Sequence, residues 1–292
     1  MPVILTTDAL IFLLIAVALG YGVYASQHEH LRAPWRSVAR SRVGVAALVV
    51  IGFYVLIGVL DSMHFHPRIE PVTTGESAAP AQTDAERSGA GDADAAPIQA
   101  RYSTQVLSVL DVILTGLRER QEKTFSAPFA THLFVKEPIE QPDGSIVRGY
   151  PPLEHGGAHL KDPSRRGFDI AVRTVLGAIK GMLVWMALTA GLVWLVAHAR
   201  GEEFNDGANA IWQGRTEVPW RVMLIALAAM LVLSFVAAEL AAGYHILGTD
   251  KVGEDVFYQS LKSIRTGLVI GTLTTLVMLP AAVILGIMAG YF

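Results

Sequence analysis

The chain has 292 residues, of which 52% are hydrophobic and 17% charged, and its mean hydropathy is positive. A soluble domain carries roughly a quarter charged residues, so this balance favours a membrane protein. The formal net charge of −3 is small and argues against a polyanion-binding protein, so we expect no nucleic-acid partner. The absence of cysteine excludes disulfides, thiolate metal ligands and thiol nucleophiles.

Five apolar stretches are long enough to cross a bilayer as helices. The hydrocarbon core is about 30 Å thick, so roughly 17–25 apolar residues are needed to cross it. Because a backbone in lipid must satisfy its own hydrogen bonds, each stretch is predicted to be a helix. We therefore expect an all-α membrane protein with about five transmembrane helices, surrounded by the lipid bilayer. The stretches, which contain no charged side chain, are Ala9–Ala25, Val43–Leu60, Gly181–Ala197, Val222–Ala238 and Thr266–Phe292.

An alternative interpretation of the first stretch is a cleavable signal peptide, because Val23-Tyr24-Ala25 resembles a small-residue cleavage site. A signal peptide begins with a positively charged region, whereas the one charged side chain before this stretch is Asp8. We therefore interpret the stretch as a retained helix.

Basic residues between the first two stretches predict the orientation. Short loops rich in Lys and Arg stay cytoplasmic, so the amino terminus should lie outside, in a multi-pass protein of the bacterial inner (plasma) membrane. The loop contains Glu29 and four arginines: Arg32, Arg36, Arg40 and Arg42. Basic residues before the third stretch argue against this orientation, but long translocated segments largely escape the rule. They are Arg165, Arg166, Arg173 and Lys180.

This orientation divides the chain into five segments. Residues 1–42 hold the first helix and the basic cytoplasmic loop, and residues 43–60 form the second helix. Residues 61–170 are a large external, periplasmic insert, and residues 171–243 hold the third and fourth helices. Residues 244–292 form an external turn followed by the fifth helix.

The insert is predicted to be partly disordered. Residues 71–100 hold few large apolar side chains and should form a flexible linker. Apolar residues at helical spacing predict an amphipathic helix over Tyr102–Leu117. Prolines and glycines predict loops over Thr124–Pro163, with short strands around Ile146–Val147.

The histidines of the chain do not predict a metal site. His155 and His159 are four residues apart, but Gly156 and Gly157 between them argue against a helix that would align both rings. His64 lies near no carboxylate cluster in the sequence, and two imidazoles do not complete a metal site. We expect no metal and no catalytic residue.

A turn rich in glycine and aspartate lies between the fourth and fifth stretches. Gly248 and Gly253 allow tight backbone geometry that side chains would forbid. Asp250 and Asp255 can accept backbone N–H bonds, and Thr249 or Asp250 is a natural N-cap for a short helix that follows.

This turn resembles a family signature. The C-type permease subunits of oligopeptide, dipeptide and nickel ABC importers show Leu-Gly-Thr-Asp-x-x-Gly-Arg-Asp-Val before a membrane helix. Glu254 departs from it, because the family has arginine there. Ile264-Arg265-Thr266 and Leu285–Phe292 resemble the family's lead-in and exit of that helix. The matching residues are Leu247, Gly248, Thr249, Asp250, Gly253, Asp255 and Val256, with Arg265 downstream.

The resemblance, which covers about a third of the chain, implies an ABC importer subunit that moves peptides or related small solutes. It implies four kinds of partner: a second permease subunit, two ATPase subunits, a periplasmic solute-binding protein and the lipid bilayer. No Gly-x-x-x-x-Gly-Lys-Ser/Thr loop occurs, so we expect a transporter subunit that is not an enzyme, with ATP bound by the partners and no cofactor of its own. Residues 244–292 would start the permease core, truncated before its coupling loop; the substrate-binding residues stay unknown.

Small residues on the fifth stretch predict helix packing. Gly267 and Gly271, and then Gly286 and Gly290, are four residues apart and would let another helix approach closely. The simpler alternative is that small residues are common in membrane helices.

Two other functions stay open. A membrane-anchored sensor or scaffold would use residues 61–170 to bind a ligand or protein. An enzyme acting in the membrane would need polar catalytic groups in the bilayer, and the five stretches contain no charged or histidine side chain.

Overall fold

The computed structural model describes residues 2–3, 5–67, 106–140, 144–200, 204–213 and 219–291. It is 70% helical, and five of the described helices are long and apolar enough to cross a membrane. The expectation of an all-α, multi-pass membrane protein is confirmed. The predicted linker over residues 71–100 lies outside the described residues.

Each of the five long helices contains one of the apolar stretches. They are α1 (Thr6–Gln27), α3 (Arg42–Ser62), α6 (Arg166–Arg200), α8 (Trp220–Ala241) and α9 (Val256–Tyr291). Helices α6 and α9 have 35 and 36 residues. Each is therefore about 50 Å long, which exceeds the hydrocarbon core by several turns. The short helix expected after the glycine–aspartate turn is in fact the first part of α9.

The long helices meet at one end, which we call the insert end. Arg265 near the start of α9 contacts Asp8 at the start of α1 and Asp61 at the end of α3. Tyr244, just after α8, contacts Asp169 near the start of α6. Two shorter helices, α2 (Glu29–Arg40) and α7 (Phe204–Trp212), connect the long helices at the opposite end. This arrangement has the alternating helix directions that the sequence predicts.

Short strands lie at the insert end. Strands β1 (Pro2–Val3), β2 (His64–Phe65) and β3 (Leu107–Ser108) form an antiparallel sheet in that order. Strands β4 (Glu137–Glu140) and β5 (Ile146–Gly149) form an antiparallel hairpin. The strand predicted around Ile146–Val147 is thereby confirmed.

The amphipathic helix predicted over Tyr102–Leu117 is confirmed only in part, because the described residues of that segment form a strand and two short helices instead of one continuous helix. After β3 the chain forms two short helices, α4 (Val109–Ile113) and α5 (Thr115–Arg118). Ser108 caps α4 by accepting the N–H of Asp111, whose carboxylate accepts the N–H of Ser108 in return. This reciprocal capping starts a helix at Val109, so the residues before it are free to pair as a strand.

Helices α6 and α8 pack closely through two glycines of α6. A Cβ at Gly177 would lie 2.7 Å from the Cα of Val236, and one at Gly181 would lie 2.8 Å from the Cα of Val232. Beside this contact, Lys180 donates to Glu239 at 2.6 Å. Toward the opposite end, α7 packs on the pair through a buried cluster of Val193, Ile211 and Leu224.

The glycines predicted to pack on α9 contact no other described helix. A Cβ on any of them would meet no heavy atom within 4 Å among the described residues. They are Gly267, Gly271, Gly286 and Gly290. Gly58 of α3 makes the close approach instead, with Leu268 of α9 beside it. Packing of the four glycines against another chain stays a prediction.

We predict that Gly181→Leu destabilises the protein by about 1–3 kcal/mol, because the added side chain would collide with the backbone of α8. Gly191→Leu is the matched control on the same helix, since its Cβ position has no heavy atom within 4 Å in the part of the chain that the structure describes. Denaturation of the purified protein in mixed detergent micelles measures both. Equal stability of the two variants would contradict the close packing of α6 on α8.

Candidate functional site

The glycine–aspartate turn folds against the insert at the head of α9. Gly248 and Gly253 have φ angles of +77° and +84°, a region that L side chains rarely adopt. A Cβ at Gly248 would collide with the carbonyl oxygen of Ser126, and one at Gly253 would collide with that of Glu122. The tight geometry predicted for the two glycines is confirmed, and its cause is the close approach of the insert backbone.

Thr249 fastens the turn to the insert. Its hydroxyl donates to the carbonyl oxygen of Thr124 at 2.8 Å and lies 3.0 Å from the Ser126 hydroxyl. The residue is buried, and its backbone N–H donates to the Ser126 carbonyl at 3.3 Å. Leu247, by contrast, is exposed.

Asp250 closes the turn upon itself. Its carboxylate accepts the backbone N–H groups of Val252 and Glu254, each at 2.9 Å, and the Gln259 amide at 3.0 Å. The hydrogen bond from Gln259 is the main cause that lowers the pKa of Asp250. The Glu254 carboxylate accepts from the same amide nitrogen at 2.8 Å. Glu254, which stands where the permease signature has arginine, therefore has a hydrogen-bond donor in Gln259.

Asp255, and neither Thr249 nor Asp250, caps helix α9. One carboxylate oxygen accepts the N–H groups of Phe257 and Tyr258 at 2.8 and 3.2 Å, which satisfies donors of the first helical turn. The expected N-cap was wrong because the turn continues through Gly253 before the helix begins at Val256.

A buried histidine joins Asp255 to the insert. His245 is 2% exposed; its Nδ1 donates to the second Asp255 oxygen at 2.7 Å, and its Nε2 lies 3.3 Å from Glu122. Glu122 also accepts the backbone N–H groups of residues 154–156 at 2.8–3.2 Å. We call Glu122, His245 and Asp255 the histidine clasp. It connects the turn, the start of α9 and two separate loops of the insert.

The clasp favours the charged forms of its members. Burial alone would lower the pKa of His245, but hydrogen bonds to Asp255 and Glu122 outweigh burial and raise it to about 9. Burial would raise the pKa of Glu122, yet the hydrogen bonds from His245 and the three backbone N–H groups lower it to about 2. The sequence analysis assigned no role to Glu122 or His245.

A second cluster lies further along α9, and we call its five charged residues the ionic latch. Arg265 donates to Asp8 at 3.0 Å and lies 3.3 Å from Asp61, and both carboxylates are almost fully buried. Lys262, one turn earlier, donates to both oxygens of Asp111 at 2.8 and 3.0 Å. The latch therefore joins α1, α3, α4 and α9, and it contains the motif residue Arg265.

Polar neighbours complete the latch. Ser108 donates to Asp61 at 2.9 Å, and the hydroxyl of Tyr258 donates to Asp111. Burial would raise the pKa of Asp111, but the hydrogen bonds from Lys262 and Tyr258 hold it at about 2. His64 lies 2.9 Å from Asp8, a carboxylate partner that its neighbours in the sequence did not indicate. Asp8 is distant from His64 in sequence, and the fold brings them together.

A third group of polar contacts joins the start of α6 to His159 of the insert and to Tyr244 after α8. Asp169 accepts from Arg173 at 2.9 Å and from the Tyr244 hydroxyl at 2.8 Å, and its carboxylate lies 2.8 Å from His159. Burial and the hydrogen bond to Asp169 raise the pKa of Tyr244 to about 12. Within the described residues, no group of three or more His, Asp and Glu side chains could hold a metal ion.

The structure thus separates the predicted motif residues into two sites. Gly248, Thr249, Gly253 and Asp255 meet at the histidine clasp with Asp250 beside them, whereas Arg265 belongs to the ionic latch. Both sites pair each buried acid with a base. Such an arrangement holds the head of α9 in position.

Comparisons with known proteins give no family for the chain: no protein-family model, no curated protein and no solved structure matches it.

The histidine clasp predicts a pH-dependent stability. A histidine whose pKa is raised in the folded state stabilises that state fully at pH values below the ordinary pKa of 6.5. This contribution to the free energy of unfolding is lost as the pH rises through about 9. The difference between the two values corresponds to roughly 3 kcal/mol. We therefore expect His245→Gln to lower the melting temperature below pH 6.5 and the gap from the wild type to close toward pH 9.

The matched control is His155→Gln, because that side chain is exposed and lies next to the same loop. It should melt like the wild type throughout this range. Thermal unfolding in detergent, followed by circular dichroism, measures all three proteins. A gap between wild type and His245→Gln that stays constant with pH would contradict a charged clasp.

Proposed function

We propose that the chain is a membrane subunit of an ABC importer that moves peptides or related small solutes across the bacterial inner membrane. It would act with a second permease subunit, two ATPase subunits and a periplasmic solute-binding protein. The observation that carries the proposal is the folding of Gly248, Thr249, Gly253 and Asp255 into one glycine-dependent turn. The residues that resemble the permease signature therefore share one structural task, which is to fix the head of α9.

The structure supports a mechanism in which α9 moves with the insert. An importer subunit must rearrange its helices when ATP closes the ATPases, so that the solute site opens to alternate sides. The clasp and the latch fasten the head of α9 to the insert, α1 and α3 by buried charged contacts. Motion of the head would therefore carry these elements as one body.

The far part of α9 offers a surface for a second subunit. Every described residue from Leu273 to Tyr291 is exposed, including Gly286 and Gly290. Pro280 lies in this part and has no N–H to donate, so it provides a place where the helix can bend. This exposed part fits the expectation that a second permease subunit packs on α9.

A sensor or scaffold is the second candidate, and one observation favours it. The insert displays apolar side chains on and beside its hairpin, among them Phe134 at 71% and Ile146 at 72% exposure. Such a surface suits a protein partner. The insert is nevertheless fastened at two sites to the helix that carries the permease-like turn, which favours the importer.

Affinity purification of the tagged protein from its native cells tests the importer. We expect an ATPase pair and a second permease to co-purify, and we expect disruption of the gene to abolish growth on peptides as the sole amino-acid source. Gly248→Ala should reduce peptide uptake at least tenfold, because a Cβ there is strained and collides with Ser126.

Gly144→Ala is the matched control. Gly144 has a similar φ angle of +81°, but no described residue lies within 4 Å of its Cβ position, so uptake should stay near the wild-type level. Purification without any ATPase would contradict the importer and favour the sensor or scaffold. Labelling of Lys251→Cys, on the turn, by a thiol reagent only after permeabilisation of the inner membrane would also contradict the importer, because it would place the turn in the cytosol.

A further inference from the structure

Helix α2 and the end of α1 enclose a cavity at the end of the molecule opposite the latch. The cavity has a volume of about 400 Å³. Its α1 wall is largely apolar and includes Ala18, Gly22 and Ala25, whereas its α2 wall carries Arg32 and Trp35. One wall therefore suits a hydrocarbon chain, and the other holds a cation beside an aromatic ring.

Helix α2 has the pattern of a helix that lies in a membrane interface. Arg32, Arg36 and Arg40 are spaced four apart and form one stripe. Leu31, Trp35 and Val38 lie on another side of the helix. Since α1 and α3 both cross the bilayer, the helix that joins them must lie near its surface, where amphipathic helices place basic and apolar faces.

Arg32 differs from the charged residues of the insert end. Its side chain makes no hydrogen bond or ion pair with any residue that the structure describes, whereas the side chains of Arg265, Lys262 and Arg173 each contact a carboxylate. Arg32 is exposed and lines a mainly apolar cavity. The guanidinium of arginine is planar and permanently charged, so Arg32 is suited to donate hydrogen bonds to the oxygens of a phosphate group.

We propose that this cavity binds one anionic phospholipid of the surrounding membrane. The phosphate would contact Arg32, an acyl chain would lie along Ala18, Gly22 and Ala25, and Trp35 would sit between the two at the interface. Charge complementarity selects an anionic lipid, because the arginine stripe outnumbers the one acid of α2, Glu29. The site does not depend on the proposed transport function.

Native mass spectrometry of the protein released from nanodiscs tests the proposal. The probe is a bilayer of phosphatidylglycerol and phosphatidylcholine in equal amounts. The wild type should retain phosphatidylglycerol preferentially, and Arg32→Gln should weaken this retention roughly fivefold, because it removes the cation that lines the cavity. Arg42→Gln removes the same charge outside the cavity and should leave retention unchanged.

A second pair of variants tests the acyl-chain wall without altering charge. Gly22→Leu should occupy part of the cavity and reduce lipid retention, because no atom of the described residues lies within 4 Å of its Cβ position and the added side chain can fit. Gly20→Leu is equally unhindered but does not line the cavity, so it should behave like the wild type. This pair keeps the test informative even if a charge variant fails to fold.

Fluorescence gives an independent readout. Phosphatidylglycerol with brominated acyl chains should quench the tryptophan fluorescence of the wild type. Trp35→Phe should remove part of that quenching, because Trp35 lines the cavity. Three outcomes would overturn the proposal. They are equal retention of the two lipids, equal losses in Arg32→Gln and Arg42→Gln, and equal retention in Gly22→Leu and Gly20→Leu.

Discussion

The buried contacts of Arg265 with Asp8 and Asp61 constrain the whole insert end. Moving a charge out of water costs several kcal/mol, and the cost is offset only when a partner is held in good geometry. Asp8 and Asp61 are 0% and 1% exposed, so neither can exchange its arginine for water without a rearrangement of the fold. The start of α1, the end of α3 and the head of α9 are therefore held in one arrangement.

The histidine clasp also holds the head of α9 by contacts between buried charged side chains. His245 lies between two carboxylates, and one of them, Asp255, also caps α9. The insert thus contacts α9 both at its cap and along its first turns. By contrast, the far part of α9 is exposed from Leu273 onward. Helix α9 is therefore held at its head, while its far part, as described from Leu273 to Tyr291, is exposed and is the part on which we propose that a second subunit packs.

The sequence predicted the features that are local in the chain. Span length and hydropathy locate α1, α3, α6, α8 and α9, and the φ angles of Gly248 and Gly253 follow from their turn. Two further local signals were available but unused: the Gly177-x-x-x-Gly181 spacing on α6, and the Ser108-x-x-Asp111 capping pattern that starts α4. Each is a short spacing between residues that are close in the sequence, so it could be recognised without the structure.

The charged contacts could not be predicted in this way. Asp8 and Arg265 are 257 positions apart, and His245 and Glu122 are 123 apart, so their pairing depends on helix packing that no local pattern encodes. The choice of Asp255 over Asp250 as N-cap depends on where the insert backbone meets Gly253. The sequence therefore identified the candidate turn but not the buried pairs that hold it in place.

A double-mutant cycle on Arg265 and Asp61 tests the central claim most directly. If Arg265 and Asp61 interact as buried charges within the latch, Arg265→Gln alone should cost about 3–5 kcal/mol of unfolding free energy, and adding Asp61→Asn should recover part of the loss. The matched surface pair is Arg165 and Asp162, which lie 3.8 Å apart with side chains 78% and 66% exposed. Its cycle should give a coupling of about 0–1 kcal/mol. Additive losses at Arg265 and Asp61, or a coupling no larger than at the surface pair, would contradict the account.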